Sequence, residues 1–171
     1  DNISRSFGGI TALKDVSFDV ENNSITSIIG PNGAGKTSIF NCISGIYTPD
    51  SGNILFEDKE ITNMRPNKIA ELGIARTFQN IELFENLTVL ENILTGLHRR
   101  LDYGILSGLF YSSKAKRGEL YARKEAEDII DFLEIEEYRY SYVMSLPYGI
   151  QKRVELGRAL ALAPKLILLD E

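Results

Sequence analysis

Residues Gly30-Pro31-Asn32-Gly33-Ala34-Gly35-Lys36-Thr37 have the types and spacing to cradle a phosphate chain. Glycine lets the backbone bend sharply and come close to an anion. Successive N–H groups then converge on the phosphate oxygens, aided by the positive end of the helix that follows. At this spacing Lys36 reaches the β- and γ-phosphates of a nucleoside triphosphate, and the Thr37 hydroxyl is a ligand for Mg²⁺. A second signal lies near residue 170. Leu166-Ile167-Leu168-Leu169 is a continuous apolar run that ends in Asp170-Glu171. A carboxylate at the end of a buried strand completes a Mg²⁺ site beside such a loop, which suits Asp170. The next carboxylate, Glu171, is placed to orient or deprotonate an attacking water.

These side chains need a strand before the loop, a helix after it and a buried strand at residues 166–169. The β-branched run Ser24-Ile25-Thr26-Ser27-Ile28-Ile29 predicts the first, and Thr37 to Ser44 predicts the helix. The four apolar residues before Asp170 predict a strand of a parallel sheet covered on both faces. Val16, Phe18 and Val20 alternate with polar neighbours, which predicts a half-buried strand over 14–20. Asn53 to Phe56 and Ile74 to Phe78 also read as strands. Pro66 opens a short helix that Gly73 ends. Thr88 followed by Glu91 forms a capping-box pattern, and Val89, Leu90, Ile93, Leu94 and Leu97 make one apolar stripe behind it. Glu119 to Leu133 and Ile150 to Ala163 are long amphipathic patterns. The order is a strand-rich first part, a helical middle and a return to a buried strand, which predicts an α/β nucleotide-binding core with a helical insertion.

The bulk numbers suit that reading. The chain has 171 residues, 43% of them hydrophobic and 25% charged, as in ordinary globular domains. A net charge of −5 gives no support to nucleic-acid binding, which usually shows a basic face. The one cysteine, Cys42, has no partner for an internal disulfide and reads as a small core residue. No apolar run reaches the length of a membrane span, and no signal peptide is seen. The chain opens at Asp1 and closes just after an apolar strand, so both ends read as cut from a longer protein. His98, beside Arg99 and Arg100, reads as a helix-end residue.

On these motifs the chain resembles the ATP-binding-cassette (ABC) family along its full length. The resemblance implies a P-loop NTPase core of α/β class, truncated at both ends within residues 1–171, with a β-rich N-terminal layer and a helical subdomain over 83–160. Gly30, Pro31, Asn32, Gly33, Ala34, Gly35, Lys36, Thr37 and Ser38 would then bind ATP, and Thr37, Gln79 and Asp170 would hold Mg²⁺. Gln79, in Arg76-Thr77-Phe78-Gln79-Asn80, is similar to the family's glutamine that contacts Mg²⁺ and water and senses the membrane partner. Glu171 takes the place of the general base. Phe7 falls where the family keeps an aromatic that stacks on adenine, with core packing as the rival reading.

Leu146-Pro147-Tyr148-Gly149-Ile150-Gln151 falls at the family signature, usually Leu-Ser-Gly-Gly-Gln, and departs from it. Pro147 replaces the serine that touches phosphate, Tyr148 replaces the first glycine, and Ile150 takes the usual glutamine place. Leu146, Gly149 and Gln151 remain as nucleotide-side residues. One hydrogen bond is lost, worth about 1–3 kcal/mol when its partner is charged. A Leu-x-Tyr-Gly-x-Gln signature resembles the ATPases of branched-chain amino-acid importers. So do Phe7-Gly8-Gly9-Ile10-Thr11-Ala12-Leu13, Ala75-Arg76-Thr77-Phe78-Gln79 and the insert Gly104-Ile105-Leu106-Ser107-Gly108-Leu109-Phe110.

The resemblance implies an ATP-hydrolysing subunit at the cytoplasmic face of the membrane. Its partners would be permease subunits and a second cassette ATPase, as homo- or heterodimer, and indirectly a binding protein. The isolated 171 residues are expected to be inactive. Two other readings stay open: a soluble cassette ATPase outside transport, and a non-catalytic regulatory subunit.

Overall fold

The computed structural model describes residues 1–77, 81–97 and 113–170, with 113–117 described by their backbone alone. These residues form two compact units. The first holds residues 1–74 together with Asp170, and the second holds 75–169.

The first unit is built from two hairpins and two helices. Strand β1 (Ile3–Phe7) pairs antiparallel with β2 (Ile10–Val16) across a Gly8-Gly9 turn, with Phe7 opposite Ile10 and Ile3 opposite Val16. Helix α1 (Lys36–Ile43) follows the phosphate-loop sequence. A short hairpin joins β3 (Leu55–Phe56) to β4 (Lys59–Glu60). Helix α2 (Pro66–Glu71) starts on proline, whose fixed φ suits a first turn. One core cluster of the unit is Ile3, Leu13 and Cys42, with Val16, Ile39, Tyr47 and Ile54 packed on it, and Ile61 and Ile69 are also fully buried. Cys42 is therefore a core residue, and burial pushes its thiol pKa up.

Strand β5 (Ile74–Arg76), of which Ala75 and Arg76 belong to the second unit, pairs with β6 (Leu166–Leu168), and the Thr77 N–H continues the ladder to the Leu168 carbonyl at 3.0 Å. Helices α3 (Val89–Leu97), α4 (Ser113–Phe132) and α5 (Tyr148–Leu160) enclose one apolar cluster that includes Val89, Ile93, Ile130, Ile135 and Val154. The capping box is complete. The Glu91 N–H donates to Thr88 Oγ1 at 3.2 Å, and the Thr88 N–H donates to the Glu91 carboxylate at 2.8 Å. Fully buried Asn92 ties down the turn before α3. Its amide donates to the Phe84 and Thr88 carbonyls, and its oxygen accepts the Phe84 N–H.

Several expected strands differ. Residues 24–29 form no strand among the described residues, and Ile25 and Ile29 are 99% and 93% exposed. Strand preference expresses a fit to a neighbouring strand, and no described segment pairs with this one. The strand expected over 14–20 runs instead over Ile10–Val16, because the Gly8-Gly9 turn sets its register, and Phe18 and Val20 lie exposed beyond it. The strand expected over 53–56 is reduced to its last two residues. Of the run expected to be covered on both faces, Leu168 is buried, Leu166 and Ile167 are half-buried, and Leu169 is exposed.

Candidate functional site

The phosphate-loop residues adopt the geometry their glycines allow. Gly33 and Gly35 have φ of 82° and 90°, in the left-handed region, and Gly35 is the N-cap of α1. A Cβ on Gly35 would come within 2.6 Å of the Ala12 carbonyl oxygen and 2.9 Å of the Leu13 side chain. The β1–β2 hairpin thus lies against the loop, and only glycine fits between them. The Ala34 N–H closes a tight turn onto the Pro31 carbonyl at 3.1 Å. Lys36 curls back over its own loop, its ammonium donating to the Gly30 and Pro31 carbonyls at 2.7 and 3.0 Å. That places the cation at the loop and ahead of the α1 N-terminus, where an anion is favoured.

Thr37 is an exposed residue whose hydroxyl faces the buried carboxylate of Asp170, at 3.5 Å from Oδ1. A hydroxyl and a carboxylate brought together beside a phosphate loop are the donor set that Mg²⁺ accepts, the remainder coming from phosphate oxygens and water. Among the described residues no group of three or more His, Cys, Asp or Glu forms a self-sufficient metal site. The Thr37 hydroxyl and the Asp170 carboxylate fit Mg²⁺ held together with phosphate oxygens. Gln79 and Glu171 lie outside the described residues, as do His98 and the 104–110 insert.

Phe7 sits at the end of β1, 37% exposed. It does not pack into the core; its ring is held at the surface. The Arg5 guanidinium lies over it at 4.9 Å from the centroid, and Tyr47 meets it at 64° with centroids 5.0 Å apart. Asp50 Oδ1 accepts from Arg5 Nη1 at 2.6 Å, and Oδ2 accepts the Ser6 N–H at 2.7 Å. The Ser6 N–H, and after it Arg5, hold the Asp50 carboxyl below the ordinary carboxylate range. Sequence reasoning found Phe7 but missed Arg5, Tyr47 and Asp50. The available signal was alternation on β1, which puts Arg5 and Phe7 on one face; the contacts to 47 and 50 are long-range.

In the second unit, Pro147 is the N-cap of α5, with its φ of −56° preset for the position. Its carbonyl accepts the N–H groups of Ile150 and Gln151 at 2.9 and 3.1 Å. The Gln151 side chain donates back to the Leu146 carbonyl at 2.8 Å, which turns this amide toward its own chain. Leu146 is buried and anchors the segment in the helical core. Tyr148 stands 65% exposed with the Lys152 ammonium 5.9 Å from its ring centre. Among the described residues, nothing beyond its own chain neighbours and helix backbone lies within 4 Å of where a Gly149 Cβ would be. The α5 N-terminus is thus open to an approaching group. A cleft of about 210 Å³ elsewhere in this unit is lined by Arg76, Thr95, Glu155 and Arg158, and by none of the signature residues.

The chain is similar to known proteins of one family. The family model described as ABC transporter matches residues 13–171. The chain is 39% identical over 165 residues to the high-affinity branched-chain amino acid transport ATP-binding protein of Pseudomonas aeruginosa, covering 96% of this chain and 65% of that protein. A crystal structure of a nucleotide-free ATP-binding cassette from an ABC transporter superposes with TM-score 0.80 at 38% identity, covering 100% of this chain and 67% of that one. A dimeric post-hydrolysis cassette bound to ADP and Pi superposes with TM-score 0.80 at 26% identity, covering 99% and 72%.

Proposed function

The chain belongs to the ABC transporter family, and from that membership we propose that the whole protein is the ATP-binding and ATP-hydrolysing subunit of a membrane importer for branched-chain amino acids. The fold is that of the ATP-binding cassette, of P-loop α/β class. The named relative supports the substrate class, since it is a branched-chain amino acid transport protein. The dimeric cassette supports a second ATPase subunit as partner. No helix among the described residues is long and apolar enough to cross a membrane. The protein would therefore attach to permease subunits at the cytoplasmic face of the membrane and meet a binding protein only through them. Residues 83–160 are proposed as its helical subdomain, supported by an apolar cluster of residues between Val89 and Ala161.

Bound Mg-ATP supplies the terminal phosphoryl group that is transferred to water. The backbone N–H groups between Gly30 and Ser38, Pro31 excepted because it has none, and the Lys36 ammonium bind and align the phosphates. Thr37, and Asp170 through water, would hold Mg²⁺, with Gln79 as a further ligand, and the metal would neutralise charge on the phosphates. Glu171 orients the water and takes its proton. Phe7 stacks on the base. Gly149, at the open start of α5, would cap the nucleotide held by the opposite subunit, while Leu146 and Gln151, engaged within their own chain, shape that turn. Alignment and charge stabilisation carry most of the catalysis in such transfers. The single observation that carries the reading is the approach of Thr37 to Asp170, 133 residues apart in sequence, at 3.5 Å beside a loop built on Gly33 and Gly35.

The test is purification of the tagged whole protein from native membranes in mild detergent, with mass spectrometry of its companions. Polytopic permeases and a second cassette ATPase are expected. Recovery only from the soluble fraction, with ribosomal or DNA-repair partners, would overturn transport and leave the ATPase reading.

A further inference from the structure

We propose that Arg5 and Asp50 are positioning residues for the nucleotide base, acting through the ring of Phe7; the proposal rests on the reading of Phe7 as the stacking residue. A phenylalanine at the exposed end of a hairpin ordinarily samples several rotamers. Here the ring is fixed from two directions. Arg5, two residues earlier on the same face of β1, lays its guanidinium over the ring at 4.9 Å. Tyr47 meets it at 5.0 Å between centroids. Each clamp is itself anchored. The Asp50 carboxylate spans the Arg5 guanidinium and the Ser6 N–H, so it grips both the side chain and the backbone beside Phe7. The Tyr47 N–H donates to the Asn41 carbonyl in α1, the helix that begins in the phosphate loop. Ring and loop are thereby linked through a short chain of contacts within one unit.

The Arg5 Nε is buried and has no hydrogen-bond partner among the described residues. A surface ion pair with no further role would satisfy that donor by turning toward water. Instead the guanidinium gives up a hydrogen bond to lie along the ring. Phe7 remains 37% exposed, and its uncovered surface is a preorganised platform for a flat base. The cation draws π density toward itself and makes the uncovered surface a better partner for an electron-rich purine.

Equilibrium titration of the whole protein with Mg-ATP and with Mg-bound inorganic triphosphate gives a ratio of affinities that isolates the base. Phe7→Leu collapses that ratio. Arg5→Met lowers it roughly three- to tenfold and leaves triphosphate affinity unchanged. Arg5→Lys, which keeps the charge for Asp50 without the flat guanidinium, falls between the two. Asp50→Asn lowers the ratio as well, and adds nothing once Arg5 is Met, since the two act as one unit. A wild-type ratio in Arg5→Met and Asp50→Asn, with collapse in Phe7→Leu, overturns the positioning role and leaves the stacking reading intact. An unchanged ratio in Phe7→Leu overturns the stacking reading itself. Equal loss of ATP and triphosphate affinity in Arg5→Met reduces Arg5 to a structural part and also overturns the proposal.

Discussion

Two glycines, Gly35 in the phosphate loop and Gly149 in the first turn of α5, stand in opposite physical situations. Gly35 has a left-handed φ of 90° and would drive a Cβ to 2.6 Å from the Ala12 carbonyl oxygen. Gly149 lies within a helix, and a Cβ there would touch nothing within 4 Å. The first glycine is required by the fold of its own unit. The second leaves room that nothing in the described structure uses, as a surface for close approach by another molecule would. The same contrast runs through their neighbours. Lys36 and Thr37 are engaged with the loop carbonyls and Asp170, whereas Tyr148 extends toward solvent. Among the described residues, one region is engaged with its own unit and the other is exposed.

The largest expected effect breaks the comparison by freezing the two regions together. Glu171→Gln should lower ATP turnover by roughly 100- to 10,000-fold and accumulate an ATP-bound dimer, seen by size-exclusion chromatography. Normal turnover would remove Glu171 from its role. Next, Gly35→Ala should destabilise the protein by roughly 1–3 kcal/mol, because both φ and space are wrong for alanine. It should also weaken Mg-ATP binding on the order of 100-fold by displacing the loop. Thermal melts and ATP titrations read the two effects. Gly149→Ala should do the reverse, leaving stability within about 0.5 kcal/mol. Turnover should fall roughly tenfold while ATP affinity of the monomer is kept. A large loss of stability in Gly149→Ala would erase the contrast.

The smallest effect is acid sensitivity, and it sharpens the comparison by probing both units at once. Asp50 in the first unit is held below its ordinary pKa by the Ser6 N–H and Arg5, and Glu91 in the second by the Thr88 N–H and hydroxyl. A depressed folded-state pKa contributes stability that is complete above the ordinary carboxylate pKa. That contribution is lost as pH falls through the lowered value. The melting-temperature gap between wild type and Asp50→Asn, or Glu91→Gln, should therefore shrink as pH drops through the carboxylate range. A gap constant with pH would show that the carboxylates do not matter in ionised form.

Legibility in the sequence followed the range of the interactions. The capping box of Thr88 and Glu91, the proline start of α2 and the helix after Lys36 depend on neighbours within a few residues, and each formed as the pattern implied. The amphipathic runs in α4 and α5 were equally plain, since their apolar stripes report the core they bury. Strands were read less well. Residues 24–29 carry a β-branched pattern, yet strand formation needs a partner that no local pattern supplies. The phosphate-loop residues were legible by spacing, while their relation to Asp170 was inferred from chemistry and appears only in three dimensions. The clamp on Phe7 was invisible, because Tyr47 and Asp50 reach it from more than 35 residues away through contacts that leave no periodic trace.

Binding of Mg-ATP to the whole protein, compared with its Lys36→Ala variant by equilibrium titration, tests the central claim most directly. The account predicts saturable binding in the wild type, weakened by about 100-fold when the ammonium and its charge-assisted hydrogen bonds to phosphate are removed. Equal affinity in the two proteins would contradict it, since the loop around Lys36 would then not be where the nucleotide is held.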